Sequence, residues 1–274
     1  MTVALITGAT DGLGLETARR LGAGGASVLV HGRNQSRCAE AIEQLEPDIP
    51  RARLTAYWAD LARLDEVRGL ASRMREREER LDVLINNAGI ADIDGPRRES
   101  PDGIELTFAV NYLAHFVLTL ELLDILARSD PARIVNVTSV GQSPIDFSDP
   151  MLERAYDGFT AYARSKLAQI SFTLELAHRL AAAGEDRVTV NAVHPATLMD
   201  TRMVRRTFGR ARSSVQEGVE AVTRVATSPE LDGATGRYFE GTGEAAPHRQ
   251  ALDPAARRRL WELSEQLAGV SSPV

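Results

Sequence analysis

Along the chain, short continuously apolar runs alternate with longer stretches whose apolar residues return every three or four positions. The short runs 3–7, 27–31, 53–58, 83–86, 133–139 and 189–194 are rich in Val, Ile and Leu, which predicts buried strands. A last short run near 236–239 predicts an edge strand. The stretches 14–21, 33–45, 64–79, 103–126, 160–183 and 215–226 carry the helical period and predict crossover helices. Strand and helix in strict alternation predict an α/β fold: a single Rossmann-like, doubly wound parallel sheet of about seven strands with helices on both faces. No Pro/Gly-rich linker divides the chain. We therefore expect one domain over 1–246 and a helical tail over 247–274 packed on it.

Composition narrows the function classes. The 274 residues include 32 basic and 38 acidic side chains, a formal charge of −6, which gives no electrostatic case for nucleic acid as a partner. The basic clusters at 203–206 and 257–259 read as solvated helix faces. Cys38 is the only cysteine, so there is no intramolecular disulfide and no cysteine metal cluster. The histidines show no zinc spacing, and we expect no metal. The first strand runs directly into a glycine turn, and no run reads as a signal peptide or a transmembrane segment, so the expected location is cytoplasmic, with no membrane partner.

The chemistry begins where the first strand ends, in Thr7-Gly-Ala-Thr-Asp-Gly-Leu-Gly14. Glycines in a strand-to-helix turn let the backbone approach a pyrophosphate, and the helix behind it presents unpaired amides and the positive end of its dipole. We expect Gly8, Thr10, Asp11, Gly12, Leu13 and Gly14 to contact a dinucleotide. The second strand ends in His31-Gly-Arg-Asn34, with no carboxylate for a ribose 2′-hydroxyl. Arg33, with Asn34 beside it, suits a 2′-phosphate instead, so the expectation is NADP(H) in preference to NAD(H). Asp60 and Leu61 follow the third strand, and Asn87, Ala88 and Gly89 follow the fourth. Recurrence at the carboxyl ends of successive strands argues for one shared crevice.

Tyr162 and Lys166 stand four residues apart on one helical face, where an ammonium can favour the phenolate. Ser139 closes the fifth strand, and Asn111 interrupts an apolar helix. Taken together, TGATDGLG at 7–14, Asp60, NNAG at 86–89, Asn111, Ser139 and the YxxSK pattern at 162–166 resemble the short-chain dehydrogenase/reductase family over nearly the whole chain. The 23-residue interval between Ser139 and Tyr162, HGRN at 31–34 and SKLA at 165–168 are similar to the retinol-dehydrogenase-like, NADP-dependent oxidoreductase branch in a bacterial soluble form.

The resemblance implies that Tyr162 is the general acid or base. Lys166 would hold the nicotinamide ribose and lower the Tyr162 pKa, Ser139 would bind the substrate oxygen, and Asn111 would fix a relay water. It implies further cofactor contacts at Pro195, Thr197 and Thr201, and a lid at about 199–214. In that lid Met203, Val204 and Phe208 are candidates for an apolar wall, and Arg202, Arg205 and Arg206 for an acidic substrate group, with a solvated face as the alternative. Phe147 and Tyr156 either line the pocket or pack in the core. Ser165 is expected to bond locally. Members of the family commonly pair through the helices of Asn111 and Tyr162, so a homodimer or homotetramer is expected. The implied function is hydride transfer between NADP(H) and a carbonyl or secondary alcohol of a bulky, mostly apolar small molecule, with a tailoring ketoreductase of secondary metabolism as one form. The alternatives are a cofactor-binding regulator or scaffold without turnover, and an epimerase or dehydratase.

Overall fold

The computed structural model describes residues 1–271, apart from the side chain of Phe208. Its sheet has the order β3-β2-β1-β4-β5-β6-β7-β8, from β1 (Val3–Ile6), β2 (Ser27–Gly32), β3 (Leu54–Trp58), β4 (Val83–Asn86), β5 (Ala132–Val137), β6 (Val188–His194), β7 (Arg237–Glu240) and β8 (Gly243–Glu244). β1 to β7 are parallel, and β8 returns antiparallel on β7. The sheet thus has eight strands rather than about seven. The extra one is two residues long, too short to carry any hydrophobic alternation. Every residue of β4, β5 and β6 is buried, as expected for central strands covered on both faces.

Helices α1 (Gly12–Ala23), α2 (Gln35–Leu45) and α8 (Val215–Thr227) belong to one face. The other carries α3 (Leu64–Arg77), α4 (Leu106–Phe108), α5 (Ala114–Leu126) and α6 (Gly158–Ala182). Between α4 and α5 the helix runs through a π-helical turn, Ala109–Leu113, which the regular periodicity of 103–126 gave no reason to expect. This apolar rod is long enough to cross a membrane, but 89% of its most apolar window is buried inside the fold. It is a core helix.

The tail forms α9 (Arg249–Leu252) and α10 (Pro254–Ala268), and the last residues of the expected 247–274 segment lie outside the described residues. Trp261 of α10 is 1% exposed, its ring centroid 5.0 Å from Phe116 of α5 and 5.8 Å from Phe172 of α6. The Arg179 guanidinium lies 4.2 Å over the same ring, and the hydroxyls of Tyr112 and Ser264 are 2.7 Å apart. Arg257 bonds to the buried Glu175, so one arginine of the 257–259 cluster belongs to this interface rather than to solvent. α10 therefore packs on α5 and α6, the helices through which the resemblance implies subunit pairing.

Candidate active site

The strand order reverses at β1, so the chain leaves β1 and β4 in opposite directions and opens a crevice at their carboxyl ends. Thr7 ties the two edges together. Its Oγ1 accepts from the amides of Asn87 (2.8 Å) and Ala88 (2.9 Å), while the Asn87 side chain donates to the Thr7 carbonyl at 2.8 Å. Gly8 has φ +65°, and a Cβ there would lie 2.9 Å from the Ala88 Cα. At Gly14 a Cβ would drive into the Gly8 carbonyl. These two positions accept only glycine, because the turn is pressed against the neighbouring loop. The first-turn amides of α1 have no intrahelical partners, and Asp11 caps Gly12 at 2.8 Å.

The other expected cofactor contacts fall around this crevice, several with their side chains engaged in the protein. Asn34 caps α2 by accepting from Arg37, and Asp60 Oδ1 accepts from Ala62. Arg33 is exposed, its Nε 4.0 Å from that same Asp60 oxygen. Leu13 and Leu61 are buried. Thr10 packs where a Cβ at Gly32 would stand, and Pro195 lies near Gly218. Thr197 Oγ1 is 3.1 Å from His194 Nε2. Thr201 caps α7 (Arg202–Phe208), and its methyl lies 3.3 Å from a Cβ built at Gly12. α7 thereby closes over the glycine turn: Arg202 pairs with Asp11 at 3.4 Å, and Thr207 donates to the Ala91 carbonyl at 3.2 Å. Arg205 pairs with Asp200. Of the three lid arginines proposed to meet an acidic group, two are already in ion pairs.

Beyond the crevice, Ser139, Tyr162 and Lys166 converge. A Cβ at Gly141 would lie 3.5 Å from Ser139 Oγ and 4.0 Å from the Tyr162 ring. Lys166 Nζ donates to the Val137 carbonyl (3.0 Å) and Gln169 Oε1 (2.8 Å), and sits 5.7 Å from the Tyr162 ring centroid. A Cβ on Gly89 would come within 3.3 Å of Asn111 Oδ1 and 3.8 Å of Lys166 Nζ, so the fourth-strand loop passes close to both. Burial lowers the Lys166 ammonium to about 7. Burial raises the Tyr162 phenol, against a hydrogen bond with Ser139 that lowers it. In the protein alone burial is the larger of these two causes, and Lys166 is held by two other acceptors.

The Asn111 side chain ties the fourth-strand loop to α6. It accepts from Ile90 N (2.7 Å) and donates to Ile90 O and Ser165 Oγ (both 3.0 Å), while Ser165 donates locally to the Tyr162 carbonyl. The Asn111 carbonyl, in the π turn, lies 2.9 Å from His115 Nδ1. A carbonyl only accepts, so Nδ1 carries the proton, and Nε2 accepts from the Thr7 hydroxyl 3.0 Å away. Burial lowers His115 to about 3, which keeps this ring neutral. Sequence reasoning passed over Gln169, which stands about one helical turn after Lys166, and that spacing was the available signal. Phe147 packs on the core under Arg259, and the half-buried Tyr156 lies 3.4 Å from the buried Glu105.

A profile described as short chain dehydrogenase matches residues 2–211. The chain is 37% identical to mouse retinol dehydrogenase 13, over 97% of its length and 84% of the relative's. It is 38% identical to mouse retinol dehydrogenase 14, over 97% and 85%. Among solved structures, an uncharacterized protein from Mycobacterium paratuberculosis superposes with a TM-score of 0.82 at 29% identity, covering 100% of this chain and 96% of that one. A short chain dehydrogenase from Escherichia coli CFT073, solved with NADPH, gives 0.72 at 25% identity, covering 88% and 96%. The chain belongs to the short-chain dehydrogenase family and is related to its retinol-dehydrogenase-like members.

Proposed function

We propose that the protein is an NADP(H)-dependent oxidoreductase that moves a hydride between the nicotinamide and the carbonyl or secondary alcohol of a bulky, mostly apolar small molecule. The observation that carries this reading is the convergence of Ser139, Tyr162 and Lys166 beside a side-chain-free turn at the switch point of the sheet. The fit to a dinucleotide rests on that turn: a Cβ at Gly8 or Gly14 would strike neighbouring backbone, so the chain passes bare beneath the α1 amides. Those amides would hold the pyrophosphate and Arg33 the 2′-phosphate, with Asp60 near the adenine. The Asn87–Gly89 segment and Lys166 would follow the nicotinamide ribose, with Pro195, Thr197 and Thr201 on the carboxamide and phosphate side. When bound, the cofactor supplies or accepts the hydride.

The chain's own residues handle the proton and the charge. In reduction, charge builds on the substrate oxygen. Ser139 donates a hydrogen bond to that oxygen and Tyr162 Oη delivers its proton there, both preorganised before the charge appears. Lys166, anchored by Val137 and Gln169, stabilises the phenolate left behind. In oxidation the same phenolate is the base. The exposed side chains of Val140 and Phe159 flank Ser139 and Tyr162, which supports an apolar substrate. The catalytic unit is taken as residues 1–246 with the 199–214 lid, and the tail as an integral cover. In a homodimer or homotetramer paired through α5 and α6, α10 would cover or extend the interface.

The test is NADPH oxidation, followed by absorbance, over ketones, aldehydes and quinones. Tyr162→Phe is expected to lower turnover by about 10²–10⁴-fold while leaving NADPH affinity nearly unchanged. Retained turnover in that variant would remove Tyr162 from its role.

A further inference from the structure

Ser139 does not end in a rigid element. β5 stops at Val137, and residues 138–157 form loop and turns up to α6. The serine hydroxyl is aimed by its own loop: the Gly141 amide donates to Ser139 Oγ at 3.1 Å, which leaves the hydroxyl hydrogen free to point at a reacting oxygen. What fixes Gly141 is the next residue. The Gln142 side chain donates to the Ser139 carbonyl (3.3 Å) and to Tyr238 Oη (3.2 Å), and accepts from the His248 amide at 2.7 Å. Three positions on, Gln250 meets Ile145 through both halves of its amide, accepting from the Ile145 N–H at 2.7 Å and donating to its carbonyl at 3.0 Å. A side-chain amide here pairs with backbone as a neighbouring strand would. The anchoring groups are firmly seated: Tyr238 is 2% exposed, Ala251 of α9 is fully buried, and both pack on Leu167 and Ile170 of α6.

We propose that the tail segment His248–Gln250, acting through Gln142 and Ile145, positions the Ser139 loop, so that Gln142 and Gln250 are positioning residues for the reaction. The tail thereby reaches the candidate site without touching substrate, cofactor or reacting atoms. The kinetic consequence rests on the hydride-transfer reading; the structural clamp does not.

Gln142→Met and Gln250→Met keep side-chain bulk and remove the amide. In hydrogen exchange of the whole protein, each is expected to raise exchange of the 139–145 amides about tenfold, with NADPH affinity and the melting temperature close to wild type. In turnover, each is expected to lower kcat about tenfold with KM for NADPH within about twofold. The decisive comparison is a cycle: in a Ser139→Ala background, Gln142→Met should cost nothing further, because the residue it positions is gone. Unchanged exchange at 139–145 overturns the clamp even if no substrate is found. An undiminished cost in the Ser139→Ala background overturns its role in catalysis, whereas failure of the hydride-transfer reading would show as turnover that survives Tyr162→Phe.

Discussion

The two sides of the crevice are built by different means. On the β1–β4 side, backbone meets backbone: Gly8 lies against Ala88, Gly14 against Gly8, and Thr7 bonds two amides of the next loop. On the β5–α6 side, long side chains span the gaps. Lys166 reaches Val137 and Gln169, Asn111 reaches Ile90, and Gln142 and Gln250 bridge to partners more than a hundred positions away. A backbone-built site tolerates no added atom. A side-chain-built site can lose one bond and keep its shape, because each loop has several anchors.

The strongest way to break the first side is Gly14→Ala. The methyl has nowhere to go without displacing the Gly8 carbonyl, so we expect a cost above about 3 kcal/mol and loss of measurable NADPH binding by titration. Next is the cover over α5 and α6. Trp261→Ala opens a cavity between Phe116, Phe172 and Arg179, and thermal or denaturant unfolding should report a loss of about 3–5 kcal/mol. Arg33→Ala leaves the backbone cradle intact and removes an exposed guanidinium. NADPH affinity should fall about tenfold to a hundredfold while NADH affinity stays level, as read by cofactor fluorescence.

An effect of another kind, one of pH, concerns His115, which joins the two sides. Burial holds His115 at about 3 and His31 at about 4, against 6.5 for a free imidazole. Between those limits the unfolded chain binds more protons than the folded one. Stability is therefore full above about pH 6.5 and falls as acid is added towards the folded values. His115→Asn retains a donor for the Asn111 carbonyl but does not titrate there. Its stability loss between pH 7 and pH 4 should be smaller than that of the wild type in unfolding experiments, with His31 supplying what remains.

The same contrast explains what was legible in the sequence. Continuous apolar runs gave seven strands, and glycine spacing gave the cofactor turn, because both depend on residues adjacent in the chain. β8 was hidden, being only Gly243 and Glu244. The amide contacts of Gln142 and Gln250 were hidden as well, since nothing local distinguishes a glutamine that will find a distant backbone from one facing solvent. The ion pairs of Arg202 with Asp11 and Arg205 with Asp200 were hidden for a related reason, since a row of basic residues does not show which carboxylates the fold brings beside it. Ser139, Tyr162 and Lys166 were readable as a group. How deeply α6 packs around Tyr162 was not, because burial depends on residues distant in the chain.

The π-helical turn at Ala109–Leu113 places one residue more in a turn than a regular helix would hold. The rod from Leu106 to Leu126 therefore carries two angular phases. Before the turn, Thr107 and Phe108 meet the Glu105 cap in the phase set by that end. After it, the side chains are rotated by about 100° from where an unbroken helix would put them. The added residue acts as a phase shifter: it lets one rod show Asn111 to the crevice and still seat Phe116 against Trp261.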